Sequence, residues 1–342
     1  MKKSLFILVI IVSLISPLSS QAKSKKSFWV KPTPVQNNFH ESIEHLNKDY
    51  KGSIKAIFAD VEDVLAIKSA NQYTISEATK QTVKDLKEIN FPLILMTDKS
   101  VEHAKNVADQ MGIRDSYIVA NNGAIIADEY NSVFFINGIK KNNLDKILND
   151  AKSFSNYYKI KPVSFFYTRN KLYTFKENAK LPYISDEATV IKKTDDLGKD
   201  YVVTQVSFYE PNARTFRALK RQLTKRFSND FNIYTSENCY INITSKTVSK
   251  ENAIISLCKR FGYNLNEIAI VGNRVDNIGA LRLVKNNEGL PITFSSAPEE
   301  VKEASDFTIE TDNNNTFETA ARAIIEHNKK IKDSKVIETI EF

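Results

Sequence analysis

The chain alternates short apolar runs with amphipathic segments of helical period, and that alternation constrains the fold more than any other feature. From residue 53, "IKAIFAD" reads as a strand buried on both faces. It is followed by "TISEATKQTVKDLKEIN", with Ile75, Val83, Leu86 and Ile89 at helical spacing and a Thr74–Glu77 capping box at its start. "FPLILMT" is a second buried strand, "SVEHAKNVADQMG" a helix closed by Gly112, and "YIVANNG" a third strand. Strand and helix in strict alternation predict a parallel sheet with helical crossovers, an α/β doubly wound, Rossmann-like core.

The rhythm breaks at about residue 128. Up to 245 the strands are aromatic or alternating ("SVFFING", "SFFYTRNKLYTF", "YVVTQVSFYE", "NCYINIT") and stand apart from helices such as "NARTFRALKRQLTKRF". This predicts an inserted α+β cap with an antiparallel sheet, its aromatics forming the cap core. The doubly wound pattern then returns through "SKENAIISLCKRFG", "EIAIVGN", "DNIGALRLVKN", "LPITFS", "APEEVKEA", "DFTIE" and "TFETAARAIIEH". The expected organisation is a core from 51–127 and 246–330, a cap from 128–245, and a polar tail from 331–342 that frays.

The first residues, "MKKSLFILVIIVSLISPLSSQAKSKK", have the layout of a cleavable signal peptide, with cleavage expected after Ala22. The expected destination is therefore the periplasm or the exterior. Residues 23–50 read as a linker or loosely docked arm. The formal net charge of +7 is scattered rather than striped, so no nucleic-acid partner is expected, nor a stable membrane partner for the mature chain. Two cysteines, Cys239 and Cys258, leave pairing open. The four histidines, His40, His45, His103 and His327, have no metal-ligand spacing and fall in linker or helix-surface contexts.

Loops at the carboxyl ends of parallel strands gather at one edge of the sheet. Four of them carry reactive residues: Asp60-Val61-Glu62-Asp63, Thr97-Asp98-Lys99, "VSKEN" with Lys250, and "VGNRVDN" with Asn273, Asp276 and Asn277. A carboxylate nucleophile, a second acid, a hydroxyl, a lysine and further oxygen ligands suit phosphoryl transfer assisted by Mg²⁺.

The order and spacing of these loops resemble the haloacid dehalogenase superfamily of phosphohydrolases, in its Cof-like branch, over about residues 53–328. The resemblance implies that Asp60 is the nucleophile forming an aspartyl-phosphate and Glu62 the general acid and base. It implies that Thr97 and Lys250 bind phosphate, that Asp60, Glu62 (through its carbonyl), Asn273 and Asp276 hold Mg²⁺, and that a small phosphorylated metabolite such as a phosphosugar is the substrate. The sequence departs from the family's motifs at Glu62, Asp63, Val64, Asp98, Lys99 and Asn273. Asn273 removes the principal metal-binding carboxylate, and one charge at about 4 Å is worth about 4 kcal/mol at an effective dielectric of 20. Asp276, three residues on, is the candidate to restore it. Two readings therefore stand: a weakened Mg²⁺-dependent phosphomonoesterase, and a catalytically inactive binding module on the same fold.

Overall fold

A computed structural model describes residues 46, 50, 52–69, 72–169, 171–184, 186–198, 201–310 and 316–340. The segment read from sequence as a signal peptide, and most of that read as an arm, lie outside the described residues. Of the arm, Leu46 and Tyr50 are buried in the core, with the Tyr50 ring 5.4 Å from that of His327.

The core opens with β1 (Ala56–Asp60), a short hairpin of β2 (Ile67–Ser69) and β3 (Gln72–Thr74), α1 (Glu77–Glu88), β4 (Leu93–Met96), α2 (Val101–Met111), β5 (Ile118–Ala120), β6 (Ile125–Ala127) and β7 (Val133–Ile136). The cap comprises α3 (Lys141–Tyr158), β8 (Val163–Thr168), β9 (Leu172–Thr174), β10 (Ala188–Val190), β11 (Val203–Tyr209), α4 (Ala213–Phe227), β12 (Phe231–Ser236) and β13 (Tyr240–Ser245). The core resumes with α5 (Lys250–Phe261), β14 (Ile268–Val271), α6 (Ile278–Lys285), β15 (Leu290–Phe294), α7 (Glu299–Glu303), β16 (Phe307–Ile309) and α8 (Thr316–Ile340).

Eight strands form the core sheet in the order β16-β15-β14-β1-β4-β5-β6-β7, parallel from β16 to β5. β1 lies inside the sheet and every one of its residues is buried. Its side chains alternate: Ile57 and Ala59 pack with α1, α2 and α8, whereas Ala56 and Phe58 pack with α5, α6 and α7. Fully burying one such Ile or Phe contributes about 1.5–3 kcal/mol, which is why an unbroken apolar run is needed here.

The strand 133–136, assigned by sequence to the cap, instead closes the core sheet as an antiparallel edge after β6. The cap thus begins at about residue 138 rather than 128, because the chain continues as a meander along the sheet before crossing over. Gly138 makes that crossing: a Cβ there would sit 2.3 Å from the Val203 carbonyl oxygen.

The six-stranded cap sheet runs β10-β9-β8-β11-β13-β12 and is antiparallel except between β9 and β10. One face packs Phe166, Val206, Ile241 and Ile243 against Leu144, Ile147, Leu219 and Leu223 of α3 and α4, so the aromatic run is cap core. The other face carries a buried polar row in which Ser207 donates to Asn242 at 2.7 Å and Asn242 to Ser236 at 2.9 Å.

Two local expectations change. α1 is capped by Ser76, whose Oγ accepts from the Thr79 N–H at 3.0 Å; Thr74 lies in β3, where its β-branched side chain suits a strand. The terminal helix runs on to Ile340 instead of stopping before a frayed tail, for no Gly or Pro interrupts residues 316–340. Cys239 and Cys258 are both free thiols. No helix of the described residues is long and apolar enough to cross a membrane.

Candidate active site

Strand register brings the four loops together. Asp60, the last residue of β1, stands opposite Met96, so Thr97 emerges beside it; Ala59 stands opposite Val271, which puts Gly272 and the following loop on its other side. Lys250 opens α5, capped by Ser249, and Asp63 turns the chain away with φ 59°, a left-handed conformation that Asp tolerates better than most side chains.

Asp60, Lys250, Asp276 and Asn277 form one knot. Lys250 Nζ donates to Asp60 Oδ1 at 2.9 Å, Asp276 Oδ2 at 2.8 Å and Asn277 Oδ1 at 2.9 Å, which uses all three of its protons. Asn277 Nδ2 closes the ring on Asp60 Oδ2 at 2.7 Å. Burial pushes the Asp60 carboxyl up to about 7 against the pull of Lys250, with Asp276 and Glu62 pushing the same way as burial. For Asp276, burial is outweighed by Lys250 and Arg274, and its pKa falls below the usual carboxylate value.

Glu62 sits in a second knot. Thr97 Oγ1 donates to both carboxylate oxygens, at 3.0 and 2.9 Å, and accepts from the Lys99 backbone N–H at 3.0 Å. Lys99 Nζ and His103 Nε2 stand 3.1 and 3.0 Å from Glu62 Oε1. Burial acts to raise the Glu62 pKa, but Lys99 and His103 prevail and hold it well below the usual value. The side chain expected to give a proton is therefore kept ionised, and the hydroxyl expected to hold phosphate is already engaged. His103, read from sequence as a helix-surface residue, is buried on the inward side of the first turn of α2; His327 is also buried, its Nε2 2.8 Å from the Gly52 carbonyl oxygen.

Arg274 centres a third group. Its Nε donates to Asp276 Oδ1 at 3.2 Å, its Nη1 to Glu237 Oε1 at 2.9 Å, and its Nη2 lies 3.6 Å from Asp98 Oδ2. Lys68 Nζ meets the other Glu237 oxygen at 2.9 Å, and the Tyr73 hydroxyl donates to Glu237 Oε1. Sequence reasoning missed Lys68, Tyr73, Glu237 and the inward direction of His103. The pair Glu237-Asn238 carries a turn signal in Asn238, but nothing local says which loop the turn will face.

These contacts test the expectation of magnesium. Both oxygens of Asp60 and both of Asp276 accept from nitrogen donors. Asn273 turns away, donating to Ser296 Oγ at 3.1 Å and accepting from Thr293 at 3.4 Å. Asp276 does point toward Asp60, but the Lys250 ammonium stands between them. Among the described residues no three His, Cys, Asp or Glu side chains are arranged to hold a metal ion. The donor set does not fit a resident Mg²⁺; lysine and arginine occupy the positions a cation would neutralise.

The family model for haloacid dehalogenase-like hydrolases matches residues 57–320. A protein of Streptococcus pyogenes serotype M6 named "Putative phosphatase" is 19% identical over 285 residues, spanning 79% of this chain and 98% of its own. A haloacid dehalogenase-like hydrolase from Bacteroides thetaiotaomicron has the same fold, with a TM-score of 0.66 at 16% identity over 80% of this chain and 99% of its own. One from B. subtilis is alike to the same degree, with a TM-score of 0.66, 16% identity and the same 80% and 99% shares. This chain belongs to the haloacid dehalogenase-like hydrolase family.

Proposed function

We propose that this chain keeps the hydrolase fold but binds a small anionic metabolite without turning it over. One observation carries the reading: Thr97, Lys99 and His103 all converge on Glu62, so that both the expected acid and the expected phosphate-binding hydroxyl are already engaged with each other. General acid–base catalysis contributes about 10²–10⁴-fold in rate, and a carboxylate held ionised by two cationic or hydrogen-bonding neighbours supplies none of it as an acid. Both oxygens of the expected nucleophile Asp60 also accept from nitrogen donors, Lys250 on one side and Asn277 on the other. The leader in residues 1–22 supports export, and thus binding outside the cytoplasm.

The second reading, a weakened phosphomonoesterase acting through an aspartyl-phosphate, is favoured by the 2.9 Å Lys250–Asp60 contact, which leaves the nucleophile placed and paired. Hydrolysis of p-nitrophenyl phosphate separates the two. The proposal expects the purified protein, with or without Mg²⁺, to show the same background rate as Asp60→Asn. A rate that requires both Mg²⁺ and Asp60 would establish the phosphatase instead.

A further inference from the structure

Glu237 belongs to the cap, yet its carboxylate is buried among core side chains, with its side chain only 5% exposed. It is the first of the three residues that turn the chain between β12 and β13, of which Glu237 and Asn238 have φ of 53° and 56°. Left-handed positions favour Asn, Asp or Gly, and a left-handed residue with a long side chain costs about 1–2 kcal/mol. A position that tolerates this conformation in a glutamate is compensated by what the side chain reaches. It reaches three groups from two separate core segments: Lys68 and Tyr73 on the β2–β3 hairpin, and Arg274 in the loop after β14. Together they grip both carboxylate oxygens, and burial is outweighed by Arg274 first, then by Tyr73 and Lys68.

This arrangement has the form of a receptor with its ligand in place. Arg274 Nη2, buried and 3.6 Å from Asp98 Oδ2 but without a hydrogen bond, remains as a donor beyond the bonds that Arg274 makes to Asp276, Glu237 and Tyr73. Beside it opens a cleft of about 490 Å³, lined by Lys68, Glu237, Asn273, Arg274, Asp276 and Ser296 among others. The cleft is lined by both cap and core residues, Glu237 among them.

We propose that Lys68, Tyr73 and Arg274 form an anion-binding subsite for a small ligand bearing a carboxylate or phosphate group, and that Glu237 is its resident intramolecular occupant. A ligand oxyanion that enters from the cleft replaces Glu237 charge for charge, which answers the repulsion that Asp60, Glu62 and Asp276 would otherwise impose. The turn is then released from its strained position and the cap is free to part from the core. This inference rests on the binding reading above but does not depend on whether catalysis is lost, because Lys68, Tyr73 and Glu237 have no hydrogen bond to Asp60, Lys250, Glu62 or Thr97 and Arg274 touches the first knot only through Asp276.

Chemical rescue tests it. In Glu237→Ala the subsite is vacated, and the unfolding temperature falls below that of the native protein. Sodium acetate or sodium phosphate should then raise the unfolding temperature of this variant well beyond the shift given by sodium chloride at equal ionic strength, by mass action on the folded state. The native protein should respond at least tenfold more weakly in apparent affinity, because Glu237 competes. The isosteric Glu237→Gln, which keeps the side-chain volume, should show the same gain by isothermal titration if Glu237→Ala proves too unstable. Acetate acting alone identifies a carboxylate ligand, phosphate acting alone a phosphate ligand, and either upholds the subsite. Adding Arg274→Met to either variant should abolish the response. Equal responses in native and Glu237 variants, or a response that survives Arg274→Met, overturn the proposal. The p-nitrophenyl phosphate assay is read separately, so failure of this inference and failure of the non-hydrolytic reading remain distinguishable.

Discussion

Replacing Lys250 by methionine should lower folding stability by about 3–5 kcal/mol, the loss expected when one partner of a buried ion pair is removed. The side chain is 1% exposed and its ammonium is shared by Asp60 and Asp276, themselves 1% and 3% exposed. Methionine fills most of the volume, so the loss reports uncompensated charge rather than a cavity. Two carboxylates would then face each other with only Asn277 and Arg274 to stabilise them. By the usual scaling of about 2–4 °C per kcal/mol for domains of 150–250 residues, the unfolding temperature should drop by about 6–20 °C. Adding Asp276→Asn to Lys250→Met should recover at least about 1 kcal/mol, since groups within one network are not additive. Urea unfolding of the two variants beside the native protein measures both quantities. A loss below about 1 kcal/mol for Lys250→Met would mean that the knot is solvated and contributes as little as a surface pair.

Glu62→Gln should cost a similar amount, about 3 kcal/mol, and its dependence on pH has a definite sign. The substitution keeps the shape but leaves Lys99 and His103 without their shared carboxylate. In the folded protein the Glu62 pKa lies well below the ordinary value, so the unfolded chain binds the proton more readily. Its stabilising contribution is fully present above the unfolded pKa of about 4.3 and is lost as pH falls through the lower folded pKa. The stability gap between native protein and Glu62→Gln should therefore be constant from about pH 8 to 5.5 and shrink below about pH 4. Urea midpoints measured across that range check it. A gap that widens on acidification would place a neutral carboxyl there, and with it a usable general acid.

The core fold was legible because its strands are buried on both faces, which forces the unbroken apolar runs 56–59 and 268–271 between amphipathic helices. The cap's core-facing aromatics were legible for the same reason. The edge of the core sheet was not: Val133–Ile136 is half exposed, so its pattern resembles that of a cap strand. The loop positions of Asp60, Glu62, Thr97, Lys250 and Asp276 followed from sheet topology, and the structure brings all five into two adjoining knots. Their hydrogen-bond partners could not be read in the same way. Arg274 was visible only as a neighbour of Asn273, and its choice of Asp276, Asp98 and Glu237 is set by a cap turn more than thirty residues earlier. His103 stands in a helix whose buried stripe is Val101, Ala104, Val107, Ala108 and Met111, and it points inward at the edge of that stripe. Sequence periodicity separates the faces of a helix but does not resolve its flanks.

Lysine and arginine, rather than a divalent cation, neutralise the acidic loops. Thermal unfolding of the native protein with magnesium chloride, against sodium chloride at matched ionic strength, tests this most directly. A site with a dissociation constant of about 0.1 mM would add about 2.7 kcal/mol at a hundredfold excess of free metal. The native protein should show no magnesium-specific shift. A shift of that size, lost on Asp60→Asn, would contradict it.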